Sequence, residues 1–214
     1  MLLAGLLSAC YGVGKRGLAE VIAQEPRYQI ANWRSGEKIP NDGQLNVIQA
    51  ELHKALDLDP ANPTLLEDLG GLYASRLQKV RPSDSRALPI RGQTLDFIRQ
   101  AVRQRPTSGQ AWINLALMKL RLGEIDSEFS LSLQQALHRT PWQPQVQLLG
   151  IELGLASWQA LTEPLQQEIA SAVRAQAGWL LVNQKPPLIQ MLKRYRRSDL
   201  ACPWAGAAFP CPAA

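Results

Sequence analysis

The chain has 214 residues, enough for one packed domain or a short run of repeats. Its 46% hydrophobic and 19% charged residues exclude wholesale disorder and a multi-span membrane protein. The net charge of +5 would suit an anionic partner, but Lys and Arg are scattered among acids. The one dense basic cluster, Lys193, Arg194, Arg196 and Arg197, reads as a solvated helix face, and no nucleic-acid partner is expected.

Met1 to Val13 are almost entirely apolar or small, and Lys15 and Arg16 follow at once. Residues 1–17 therefore read as a signal or membrane-anchor segment, although shorter than the roughly 20 apolar residues that span a bilayer. Leu7-Ser8-Ala9-Cys10 matches the pattern at which bacterial lipoproteins are cleaved, so Cys10 is a candidate for lipidation. Lipoprotein, uncleaved anchor and a merely buried first helix all stay open. Residues 18–42 read as a connecting segment.

From residue 43 the sequence carries an internal repeat. Ala55-Leu56-Asp57-Leu58-Asp59-Pro60 recurs as Ala101 to Pro106 and as Ala136 to Pro141, each with an alanine five residues before a proline. Proline cannot supply an internal helix hydrogen bond and disfavours helical geometry in its predecessor, so each phrase predicts a helix end. New helices are expected at Leu66-x-x-Leu69-Gly70-x-x-Tyr73, at Trp112-x-x-Leu115-Ala116 and at Val146-x-x-Leu149-Gly150-x-x-Leu153. The first of these fits position by position the frame of the tetratricopeptide family, which the chain resembles. In that family the small residue lets a paired helix approach while the large residues fill the space between pairs. Leu122-Gly123-Glu124 falls at the family's inter-helix turn, and Lys119 stands where an aromatic is expected.

Pro106 to Pro141 spans 35 residues but Pro60 to Pro106 spans 46, so a longer loop is expected at 79–92, where two prolines and a glycine occur. Pro164 predicts a helix reaching about Ala177, and Pro186-Pro187 a short one ending near Arg196. No strand pattern is present. The expected fold is all-α, a tetratricopeptide-like helical-hairpin solenoid over 43–197 with an N-terminal apolar helix and a flexible tail at 198–214. Cys202 and Cys211 in that tail could close a disulfide in an oxidising compartment.

Catalytic and cofactor patterns carry little. Gly12-x-Gly14-x-x-Gly17 has the spacing of a dinucleotide loop but lacks the strand, helix and parallel sheet that such a loop needs. His53 and His138 lie in separate helices without a second ligand at metal spacing. Glu67-Asp68 and Glu124, Asp126 and Glu128 read as acids at helix starts or on exposed faces. Trp112, Trp142 and Trp158 read as packing between helices. No metal, cofactor or catalytic residue is expected. The family register places Gln110, Ile113, Asn114, Leu117 and Arg121 in a partner-binding groove suited to a peptide segment. Glu67, Gly71 and Ala74 on the equivalent first-repeat face argue against a carboxylate clamp.

The order of parts is more specific: Gly14-Lys15-Arg16-Gly17-Leu18-Ala19, a segment with Tyr28 and Trp33, Leu58-Asp59-Pro60-Ala61-Asn62-Pro63, then Leu115 to Gly123. In this order the chain resembles VpsP-type proteins of bacterial exopolysaccharide biosynthesis. The resemblance implies a non-enzymatic accessory role in polysaccharide assembly or export, with protein components of that system as partners. It also implies attachment to the inner membrane through the N-terminus, and periplasmic repeats are the expectation that goes with it. A cytosolic adaptor for an unrelated peptide is the alternative.

Overall fold

The computed structural model describes residues 2–34, 40–81, 83–179 and 185–201. Among them are nine α-helices and no strand: α1 (Leu2–Arg34), α2 (Asp42–Leu58), α3 (Pro63–Leu77), α4 (Ala87–Gln104), α5 (Gly109–Arg121), α6 (Ser127–Arg139), α7 (Pro144–Ala156), α8 (Glu163–Trp179) and α9 (Lys185–Arg194). They pack largely in consecutive pairs, α1 with α2, α3 with α4, α5 with α6 and α7 with α8, which is a helical-hairpin arrangement. The chain divides into two compact units, Met1–Arg105 and Pro106–Ala214.

Local chemistry sets the helix ends. The side chain of Asn41 accepts from Gln44 N while Gln44 reaches back to Asn41 N, both at 2.9 Å, a capping box that starts α2. Asn62 caps α3 with Pro63 in its first turn, Ser108 caps α5, and Asp126 caps α6. Pro60, Pro106 and Pro141 each fall two residues past the last residue of α2, α4 and α6, as the repeated phrase predicts. Gly123, with φ of 73°, makes the left-handed turn between α5 and α6 that a side chain would strain.

Unit 1 is centred on Leu45, Ile48, Leu52, Leu65, Leu69 and Leu72, all essentially without exposed surface. Each such side chain contributes about 2 kcal/mol by leaving water. Gly70 does what its position predicts: a Cβ there would meet Ile98 Cδ1 of the paired helix at 2.5 Å. Tyr73 packs on Phe97, ring centroids 5.4 Å apart, and its hydroxyl accepts from Gln49 of α2 at 2.8 Å. Unit 2 has two clusters. One joins Ile113, Phe129, Leu133 and Ile169, and the other joins Ile151, Leu155 and Val173 to Leu188 and Leu192 of α9. The α9 helix thereby covers the apolar side of α7 and α8.

Two expectations need correction. Residues 18–34 are not a connector: α1 continues through them, and Ala19, Ala23 and Pro26, with Ile22, Ile30 and Trp33 partly buried, form a face packed in the unit 1 core. The proline forfeits one backbone bond but its ring is buried on that face. The expected loop at 79–92 also ends early, because α4 begins at Ala87 and holds Pro89 in its first turn, where the missing N–H has no helical partner to lose. No helix among the described residues is long and apolar enough to cross a membrane.

Candidate functional site

The predicted groove residues all lie on α5, and the structure separates them. Gln110 and Arg121 are exposed, Asn114 and Leu117 are half-buried, and Gln110 Nε2 donates to Asn114 Oδ1 at 3.0 Å. These four fall at i, i+4, i+7 and i+11, one row along the helix. Ile113 does not share it. It is fully buried among Phe129, Leu133 and Val146, so it supports the row from behind.

The same helix carries a feature that the sequence did not disclose. Lys119 is 1% exposed, and its Nζ lies 3.2 Å from Glu124 Oε2, 2.9 Å from Asp126 Oδ2 and 2.8 Å from Glu128 Oε2. Burial opposes the charge on Lys119, yet the bonds to the three carboxylates outweigh it and hold its pKa above the ordinary value. Asp126 is pushed up by burial and pulled down further, by the Phe129 N–H that it caps and by Lys119, so its carboxyl lies below the ordinary range. The acids thus stand at the start of α6 or just before it, as expected, and in addition are shared ligands of one ammonium. A lysine among the apolar positions of α5, five residues before an E-x-D-x-E run, was the available signal.

Unit 2 also holds a cleft of about 470 Å³ lined by Ile125, Leu155, Ser157, Trp158, Tyr195 and Arg197. The Arg197 guanidinium stacks 4.0 Å from the centre of the Trp158 ring and donates to Asp199 at 2.8 and 3.0 Å. The basic cluster is thus divided: Lys193 and Arg194 are solvated, while Arg197 is turned inward. Arg196 takes a positive φ of 55° where α9 stops. Arg197 N bonds back to Leu192 O at 2.8 Å and Arg196 N to Lys193 O at 3.1 Å, a helix-ending motif in which glycine usually holds the left-handed position.

Other motifs resolve simply. The Gly12, Gly14 and Gly17 spacing lies within α1, with open space at each glycine. His53 faces the Tyr73 hydroxyl at 3.4 Å and His138 faces Glu168 at 3.4 Å; no group of three metal-type ligands occurs among the described residues. Trp112 and Trp158 pack against the unit 2 core, but Trp142 is 70% exposed. It sits in the turn after Pro141 rather than on a helix face, which corrects the packing expectation. Cys10 is exposed and free, whereas Cys202 and Cys211 lie outside the described residues.

The structure thus defines an all-helical protein of paired, packed helices. No protein-family model matches the chain, and no curated protein is detectably similar to it.

Proposed function

We propose that the chain is a non-catalytic scaffold, held at a bacterial inner membrane through its N-terminal segment with its repeats on the periplasmic side. It acts by binding protein components of an exopolysaccharide assembly or export system. The observation that carries the binding role is the row Gln110, Asn114, Leu117 and Arg121 on a helix whose other side is locked in a packed core. Such a row offers an apolar contact, two amides and a guanidinium to an extended or helical peptide without a cost of ordering the scaffold.

The finer architecture in this reading is tetratricopeptide-like, with α3/α4, α5/α6 and α7/α8 as repeats and α1/α2 as a preceding pair. Gly70 against Ile98 supports it, because this small residue admits its own paired helix. The polysaccharide setting rests on the order of sequence parts that resembles VpsP-type proteins. Membrane attachment rests on the apolar run before Lys15 and on the exposed Cys10, which lipid attachment would require.

The test is affinity capture of the full chain from cross-linked envelopes beside a Leu117→Ala/Arg121→Glu variant. Polysaccharide-system proteins should be recovered with the native chain and reduced at least about tenfold with the variant, the loss of one or two contacts of roughly 1.4 kcal/mol in total. Equal recovery by both chains would refute the α5 row as the binding face. Recovery of cytosolic partners alone would replace the scaffold with a cytosolic adaptor.

A further inference from the structure

The cleft at the end of α7 joins apolar walls to one fixed cation. Its volume of about 470 Å³ lies within the roughly 300–1,000 Å³ of small-molecule sites. Ile125, Leu155, Ala156 and Ala160 form the walls, and Ile125 leaves 38% of its surface in water, which a ligand would cover. Arg197 brings a charge to these walls. The Trp158 ring holds one face of its guanidinium, and Asp199 takes Nε and one N–H of Nη2. Both N–H groups of Nη1 and the second of Nη2 have no partner among the described residues. They leave a pair of parallel donors spaced for the two oxygens of a carboxylate. The Tyr195 hydroxyl and the Gln159 amide also line the cleft without a hydrogen bond among those residues.

The backbone sets this guanidinium in place before any ligand arrives. Arg196, at a φ of 55° where glycine is usual, turns the chain at the end of α9, and Arg197 N bonds back to Leu192 O at 2.8 Å. Strained backbone of this kind gathers at functional positions. Lys193, by contrast, is solvated and would have to be ordered by any anion that it bound.

We propose that the cleft binds a small monocarboxylate with an apolar body, its carboxylate on the free edge of Arg197 and its body against Ile125, Leu155 and Ala160. A single charge fits for two reasons. Asp199 already offsets much of the charge on Arg197, and the last turn of α7, which lines the cleft, presents the negative end of its dipole. A phosphate dianion would meet only this one guanidinium. An uncharged ligand without the two oxygens would leave the parallel donors unpaired. Among the described residues, none of the α5 row lines the cleft, so the site goes beyond the scaffold reading.

The test titrates the full chain in mild detergent with 3-phenylpropionate, with its uncharged amide and with 2-phenylethyl phosphate, read by calorimetry. The acid should bind with a Kd below about 5 mM, at least about ten times more tightly than the amide or the phosphate. Arg197→Lys keeps the charge but loses the parallel donors, and should weaken the acid about tenfold. Ala160→Glu places a carboxylate of the chain itself at an exposed position beside the cleft and should abolish binding of the acid with an unchanged melting temperature. That variant keeps the test decisive if Arg197→Lys fails to fold. No saturable binding of the acid up to about 5 mM would overturn the proposal, as would equal binding of acid and amide, tighter binding of the phosphate, or acid binding that Ala160→Glu leaves intact. No protein partner takes part in these measurements, so their failure leaves the proposed function standing.

Discussion

Gly154→Val is expected to destabilise unit 2 by about 2–4 kcal/mol, a large share of the 5–15 kcal/mol that holds a typical domain together. A Cβ at this position would lie 2.3 Å from Ile169 Cδ1 and 2.9 Å from its Cγ1. Ile169 is fully buried, so its side chain must shift inside the core to make room. Replacing a mid-helix glycine otherwise gains a few tenths to about 1 kcal/mol of helix propensity, and here the overlap outweighs that gain. Gly12→Ala provides the opposite case, because its Cβ meets nothing within 4 Å and only the propensity gain applies. Urea unfolding should show a lower midpoint for Gly154→Val, and Ile169→Ala should cost much less in that background than alone, a coupling of at least about 1 kcal/mol. Additive losses would show that α7 and α8 do not approach through this pair.

The second large effect centres on Lys119. Removing the ammonium in Lys119→Ala leaves Glu124, Asp126 and Glu128 facing one another and empties the space of the lysine stem. The expected loss is about 3 kcal/mol, from broken buried ion pairs and a core cavity, moderated because the carboxylates keep contact with water. Lys119→Met keeps the stem volume and should lose about half as much. The pH dependence follows from the two shifts. The lowered carboxyl of Asp126 contributes stability above its ordinary value of 3.8, which is lost as pH falls through the lower folded value. The raised Lys119 contributes stability below its ordinary value of 10.5, which is lost as pH rises through the higher folded value. The native chain should hold this contribution between those limits and lose it in acid, while Lys119→Met should show a shallower acid slope. Thermal melts from pH 3 to 8 measure this, and equal slopes in both chains would contradict the assigned role.

Much of the fold was legible because its signals are local. Proline two residues past each of α2, α4 and α6 marks those helix ends through the backbone bond that it cannot make. The pairing of α3 with α4 was legible through Gly70, whose missing side chain has one structural use. The second half of α1 was not, because no repeated phrase marks it and its face of Ala19, Ile22, Ala23, Ile30 and Trp33 is defined only by packing in the unit 1 core. The candidate site was legible only in part. The register of the resembled family grouped Ile113 with Gln110, Asn114, Leu117 and Arg121, but it could not tell that Ile113 packs with Phe129 and Leu133. Lys119 was hidden for a similar reason: its three carboxylates come from the following turn and the start of α6, and only the fold brings them to one nitrogen.

The most direct measurement of the central claim is fractionation of cells producing the full chain and a form lacking residues 1–17, with protease added to intact spheroplasts. Among the described side chains, those up to Lys15 make no core contact, so the shortened chain should fold. The account predicts that the full chain is found with the inner membrane and is cut by external protease, while the shortened chain is released into soluble fractions. A full chain that is soluble and protease-protected, behaving as the shortened one does, would contradict it.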